Sequence, residues 1–213
     1  MTWPQIRTQT QKKDASLFQQ VPLTLSLIGL MVGIYIVLAW KGKSILQIDY
    51  GLIWVFGQNN DLIFDQRAYY LLLSSIFVHA HIVHLGYNMI WLLAFGFKVE
   101  EILSRPKYLF SFVFTGLVGS ILSLLWGRNF VSVGASGAVF GLLGIILMNQ
   151  RVQNPKTWKK SLYLALFFFI LTISVNTNIL AHLGGLISGL LLGMKIEYSK
   201  KETRTLSTPK IKR

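Results

Sequence analysis

Four side chains do not suit the segments that carry them: His84, Asn88, Ser136 and His182 each lie within, or at the mouth of, a long apolar run. Polar and ionisable groups are costly in hydrocarbon, and where they persist they usually serve a function. A serine hydroxyl is a weak nucleophile until a base takes its proton. Histidine, which titrates near neutrality, is the usual base. Ser136 and His182 supply such a pair. Acyl transfer also needs hydrogen-bond donors for the oxyanion of its tetrahedral intermediate. His84 and Asn88 are four residues apart, so they share one helix face, and both can donate. The backbone N–H of Ser136, at a helix start, adds a donor without an intrahelical partner. No carboxylate lies at the same depth, since Glu100, Glu101 and Glu197 sit at segment ends. The chemistry implied is that of a dyad, not a triad.

These residues must be brought together by the segments that hold them. A membrane-spanning helix needs about 20 mostly apolar residues, and six candidates are legible: 21–40, 82–99, 107–126, 136–150, 161–176 and 178–195. The last two are split only by Asn176-Thr177-Asn178, a turn-like triplet. Fused, they would form a helix of about 35 residues and roughly 52 Å, far more than a hydrocarbon core of about 30 Å. Spans two, four and six then enter from one side, and each carries its polar residues in its first turns. His84, Asn88, Ser136 and His182 thus fall at one level. Gly137 and Gly141 are four apart, as are Gly185, Gly189 and Gly193. Stripes of small residues let helices approach closely, which would bring Ser136 and His182 into hydrogen-bonding reach. Gly134 belongs to the same small-residue cluster and is expected to serve helix packing with Gly137, Gly141, Gly185 and Gly189.

Composition agrees with a membrane protein. The chain has 213 residues, 53% of them hydrophobic and 14% charged, where a soluble domain carries about a quarter charged. There is no cysteine, hence no disulfide framework and no thiolate metal site. The net charge of +13 reports orientation rather than nucleic-acid binding: with the N-terminus inside, 17 of the 21 Lys and Arg residues fall in the inner segments 1–20, 98–107, 151–160 and 195–213. The positive-inside rule places both termini in the cytoplasm, with the basic residues against anionic lipid heads. The expected organisation is a polar tail over 1–20, a six-helix membrane domain over 21–196 and a basic tail over 197–213. The outer segment 41–81, rich in Trp and Tyr, is expected to lie in the outer leaflet as short amphipathic pieces. Phe167, Phe168 and Phe169 of span five are expected to face lipid.

The motifs resemble those of rhomboid intramembrane serine proteases. Gly134-Ala135-Ser136-Gly137 matches G-x-S-G. Ala181-His182 with Gly185 and Gly189 matches A-H-x-x-G-x-x-x-G, and His84 with Asn88 matches H-x-x-x-N. They occur in that family's order and on its second, fourth and sixth spans. The resemblance covers about residues 20–196. It implies an all-α polytopic membrane fold with Ser136 as nucleophile and His182 as general base. His84, Asn88 and Ser136 would form the oxyanion hole. It further implies single-span membrane proteins as substrates, cut near the outer leaflet of the cell membrane, and no cofactor or metal. His79 matches a further histidine of the family. The family's usual aromatic–Arg pair in the first loop is represented here by Tyr70 followed by Leu71, with Arg67 out of register.

Other classes make different demands. A non-catalytic binding or quality-control protein on this scaffold would lack the serine or the histidine, and neither is lost. A metal site built on His79, His81 and His84 would need a carboxylate or thiolate to complete it. A proton- or cation-coupled transporter would need intramembrane acids. Oligomeric state is not encoded in any readable motif.

Overall fold

The computed structural model describes residues 21–172 and 177–207. Its main elements are helices. Helix α1 (Pro22–Gly42) opens with proline in its first turn, where the missing N–H is no loss, and closes on Lys43 in the left-handed region at φ 53°. Its first N–H groups meet Glu100: the carboxylate accepts from Leu23 N and Thr24 N, each at 2.9 Å, and from Thr24 Oγ1 at 2.7 Å. An acid at a helix N-terminus satisfies orphan donors and opposes the helix dipole. Tyr108 OH lies 2.9 Å from the same threonine, so one buried knot ties three helices together.

The segment 43–81 is a string of short elements: α2 (Tyr50–Phe56), strand β1 (Gln58–Asn59), α3 (Asn60–Gln66), α4 (Leu71–Ser74) and a 3₁₀ turn over Ser75–Phe77. Asp49 and Asn59 cap α2 and α3, accepting from Leu52 N and from Asp61 N and Leu62 N, as short polar side chains do at helix starts. Then follow α5 (Ile82–Ile102), α6 (Arg105–Ser123, continued as a 3₁₀ turn to Trp126), strand β2 (Val131–Ser132), α7 (Ser136–Gln153), α8 (Trp158–Leu171) and α9 (Ile179–Ser207). Strands β1 and β2 pair antiparallel, Gln58 with Ser132 and Asn59 with Val131. Arg128 adds ion pairs to Asp65 at 2.8 Å and Asp61 at 3.9 Å. The loop leading into α7 is therefore fastened to the first long loop rather than hanging free.

Helix α7 is the centre of the bundle, packed by α5, α6, α8 and α9. All nine residues from Gly137 to Ile145 are buried, the pattern of a helix enclosed on every side. The glycine stripes interlock as their spacing predicts. A Cβ on Gly185 would collide with the Gly137 carbonyl oxygen, one on Gly189 with the Gly141 carbonyl, and one on Gly144 would stand 2.7 Å from Leu186 O. The structure widens the packing role expected of Gly141 and corrects the one expected of Gly134. Gly141 also faces α6, where its missing side chain makes room for Thr115. Gly134 packs no helix pair: it lies ahead of α7 at φ +124°, a region that side-chain-bearing residues avoid, and a Cβ there would sit 2.8 Å from the His84 ring.

Four helical stretches are long and apolar enough to cross a membrane: Pro22–Gly42, Ile82–Ile102, Arg105–Trp126 and Ile179–Ile196. The chain is thus an all-α polytopic membrane protein. The fourth and fifth expected spans do not qualify on their own. Helix α7 ends in the polar run Asn149-Gln150-Arg151, whose exposure rises to an exposed Arg151 near the helix end, and α8 has 14 residues. The turn expected at 176–178 is described from Thr177 onward; Asn176 and the tail 1–20 lie outside the described residues. The helix α9 continues past 196 to Ser207, so the basic tail begins as helix.

Candidate active site

Ser136 is the first residue of α7, placed by the turn at Gly134, whose N–H donates to Ser75 O at 2.9 Å. His182 lies in the first turn of α9. The start of α9 is pinned by Asn178: its Oδ1 accepts from Ala181 N and Trp126 Nε1, each at 3.1 Å, while its Nδ2 donates to Ser123 Oγ at 2.7 Å and Ser132 Oγ at 2.8 Å. Sequence reading saw in Asn178 only a turn residue.

With both helix starts fixed and the glycine stripes engaged, Ser136 Oγ and His182 Nε2 stand 2.8 Å apart, within the reach a nucleophile–base pair requires. The imidazole is 5% exposed. Phe140, one turn along α7 from Ser136, lies over it with ring centroids 4.5 Å apart and planes at 31°. Phe169 presents to it at 76° and 6.3 Å. On the far side, Thr172 Oγ1 is 3.4 Å from His182 Nδ1. Phe140 and Thr172 escaped the sequence reading, since an apolar residue in an apolar helix carries no signal of its own and a threonine within a span commonly bonds a carbonyl of its own helix. Phe168 and Phe169 also depart from expectation. They turn inward, Phe168 against Trp91 at 4.4 Å and Phe140 at 5.2 Å, and only Phe167 of the three is exposed.

His84 and Asn88 border the backbone just before Ser136. The His84 ring packs on Gly134, and Asn88 Nδ2 lies 3.9 Å from the position a Gly134 Cβ would take. Asn88 spends one amide proton on His84 O at 2.9 Å, leaving the second for a ligand. A small cavity opens beside Ser136, lined by Gln58, Ser75, Ser120, Ser132 and Asn178 among others. Polar walls of this kind can hold water.

The remaining histidines take structural positions. His81 caps α5, its Nδ1 accepting from His84 N at 3.0 Å. Among the described residues no group of His, Asp and Glu is arranged to hold a metal ion. His79 is 1% exposed, its ring stands edge-on to His84 at 5.3 Å, and neither nitrogen has a hydrogen-bond partner among the described residues. Burial, reinforced by the neighbouring His84, pushes its pKa down from 6.5 to about 3. An unfolded chain binds that proton more readily, so the stability gained by keeping His79 neutral is complete above pH 6.5 and declines as pH falls toward 3. Thermal unfolding in detergent between pH 7 and pH 4 is expected to show a smaller pH-dependent loss for His79→Phe than for the wild type. Equal losses would contradict the assignment.

Residues 66–199 match the family model described as the Rhomboid domain. Similar proteins include RHOMBOID-like protein 6, mitochondrial, of Arabidopsis thaliana, at 36% identity over 57% of this chain and 42% of that protein. The putative rhomboid protease YdcA of Bacillus subtilis (strain 168) is 33% identical over 62% of this chain and 69% of that protein. The rhomboid protease GluP of the same organism is 28% identical over 85% of this chain and 36% of that protein. The matched region spans less than half the length of the Arabidopsis relatives.

Proposed function

The chain belongs to the rhomboid family, and from that premise we propose that it is an intramembrane serine endopeptidase, with Ser136 as nucleophile and His182 as general base. The observation that carries this reading is the 2.8 Å approach of Ser136 Oγ to His182 Nε2 across two helices locked together by glycine. In the reaction, His182 Nε2 accepts the hydroxyl proton as Ser136 Oγ attacks the scissile carbonyl carbon. The oxyanion that forms is met by the Ser136 N–H and by the side chains of His84 and Asn88. Its collapse breaks the C–N bond, and His182 returns the proton to the leaving amine. The acyl group stays on Ser136 until water, deprotonated by the same imidazole, releases it. The cavity beside Ser136 is where such water would wait, since the bilayer supplies none.

The substrates we propose are single-span membrane proteins, cut near the outer leaflet of the cell membrane. Their helices must unwind locally, because helical peptide groups are engaged with one another. The proposed topology has six spans with both termini cytoplasmic, α7 and α8 crossing beside the four self-sufficient helices, and the basic segments on anionic lipid. The test is purified protein given a model transmembrane substrate in proteoliposomes. Wild type is expected to cut within the span and Ser136→Ala to leave the substrate intact; full cleavage by the variant would end this reading.

A further inference from the structure

We propose that Thr172 is a positioning residue that takes the place of the missing triad carboxylate, holding the His182 proton on Nδ1. The proposal rests on the Ser136–His182 reading and extends it to the question of what orients the base.

The reasoning is a proton count. Thr172 Oγ1 lies 2.7 Å from Phe169 O, and a carbonyl oxygen has no proton to give, so the hydroxyl must donate there. A threonine hydroxyl has one proton and two lone pairs. With the proton spent, Oγ1 can only accept from its other neighbour, His182 Nδ1 at 3.4 Å. An acceptor facing Nδ1 favours the tautomer with the proton on Nδ1. That leaves a lone pair on Nε2, the atom 2.8 Å from Ser136 Oγ, and the base is ready to take the serine proton. The opposite tautomer would set an Nε2–H against the nucleophile and disable it. The 3.4 Å separation is long for N–H···O, as catalytic hydrogen bonds are before substrate binds. The bond strengthens once the imidazole is charged, because a cationic donor binds an oxygen more tightly than a neutral one. Its effect therefore falls on the chemical step.

The threonine is itself held. Its carbonyl accepts from Thr177 Oγ1 at 2.7 Å, which ties the end of α8 to the approach of α9. Phe140 and Phe169 flank the imidazole, which restricts the rotation of its ring. A neutral hydroxyl is a weaker partner than a carboxylate, and the fold-change expected from its loss is correspondingly modest.

Two full-length variants test this. Thr172→Val keeps the shape and removes the acceptor; Thr172→Ser keeps the acceptor. Thr172→Val is expected to lower kcat on the model transmembrane substrate about tenfold, with KM and unfolding temperature unchanged, and Thr172→Ser to restore kcat to within about twofold. Wild-type kcat in Thr172→Val, or equal impairment of the two variants, would overturn the proposal. Ring ¹⁵N spectra of histidine-labelled protein, with His182 assigned by difference from His182→Gln, read the tautomer without turnover. Nδ1–H is expected to predominate in the wild type and to fall in Thr172→Val. A predominant Nε2–H in the wild type would overturn the proposal even if the protein cleaves. Absence of cleavage by the wild type, with Nδ1–H in place, would instead count against the protease reading alone.

Discussion

His182→Ala is expected to lower the rate of transmembrane-substrate cleavage by roughly four orders of magnitude or more, the scale at which serine hydrolases lose activity when nucleophile or base is removed. Without the imidazole, Ser136 Oγ must shed its proton to water in a site that holds little of it, and the leaving amine has no acid to receive. Ser136→Ala is expected to be equally deficient. The Ser136→Ala, His182→Ala double variant is expected to be no worse than either single one, because the two side chains act as a unit. Steady-state rates in proteoliposomes provide the check. Multiplicative losses in the double variant would show that the residues work independently, contrary to their hydrogen-bonded geometry.

The second large effect is steric. Gly185→Val is expected to abolish activity and to lower the unfolding midpoint substantially. A Cβ at this position collides with the Gly137 carbonyl oxygen, so α7 and α9 would have to part along the seam that holds them. Overpacking of an interior typically costs about 1–3 kcal/mol, and here the obstruction is backbone, which cannot rotate away. Ser136 precedes Gly137 and His182 is three residues before Gly185, so any separation of the helices is felt at once in the dyad. Gly29→Ala and Gly33→Ala serve as controls. They too are four apart, yet a methyl at either meets nothing within 4 Å among the described residues. Both are expected to leave activity unchanged and to gain up to about 1 kcal/mol from helix propensity. A Gly185→Val protein as stable and active as the wild type would refute the interlock.

The contrast between the two pairs of glycines marks what could be read from the chain. Spacing declares that a smooth stripe exists, and Gly137, Gly141, Gly185 and Gly189 were legible as a packing surface because their stripes adjoin a serine and a histidine. The same spacing at Gly29 and Gly33 finds no partner among the described residues, and nothing local distinguishes it. Ser136, His182, His84 and Asn88 stood out because a polar side chain in an apolar run is conspicuous. Residues whose role comes from a neighbour remote in sequence did not. Gln58 and Asn59 read as loop, but they pair with Ser132 and Val131. Glu100 read as an inner flank, but it caps a helix that begins 78 residues earlier. Thr172 is an unremarked residue of the expected span 161–176, but it faces His182 Nδ1. The end of α8 is not legible either: hydropathy continues past Leu171, whereas the helix stops there with Thr172 N bonded back to the Phe168 and Phe169 carbonyls.

Reactivity of the serine itself is the most direct probe. A fluorophosphonate phosphonylates a serine hydroxyl, with loss of fluoride, only when a neighbouring base has activated it, and needs no knowledge of the natural substrate. Incubation of the purified full-length protein with such a reagent, followed by peptide mass mapping, is expected to locate a single adduct on Ser136, absent from His182→Ala. An unmodified Ser136 in the wild type, or an adduct that persists at full yield without His182, would contradict the claim that this imidazole activates this hydroxyl.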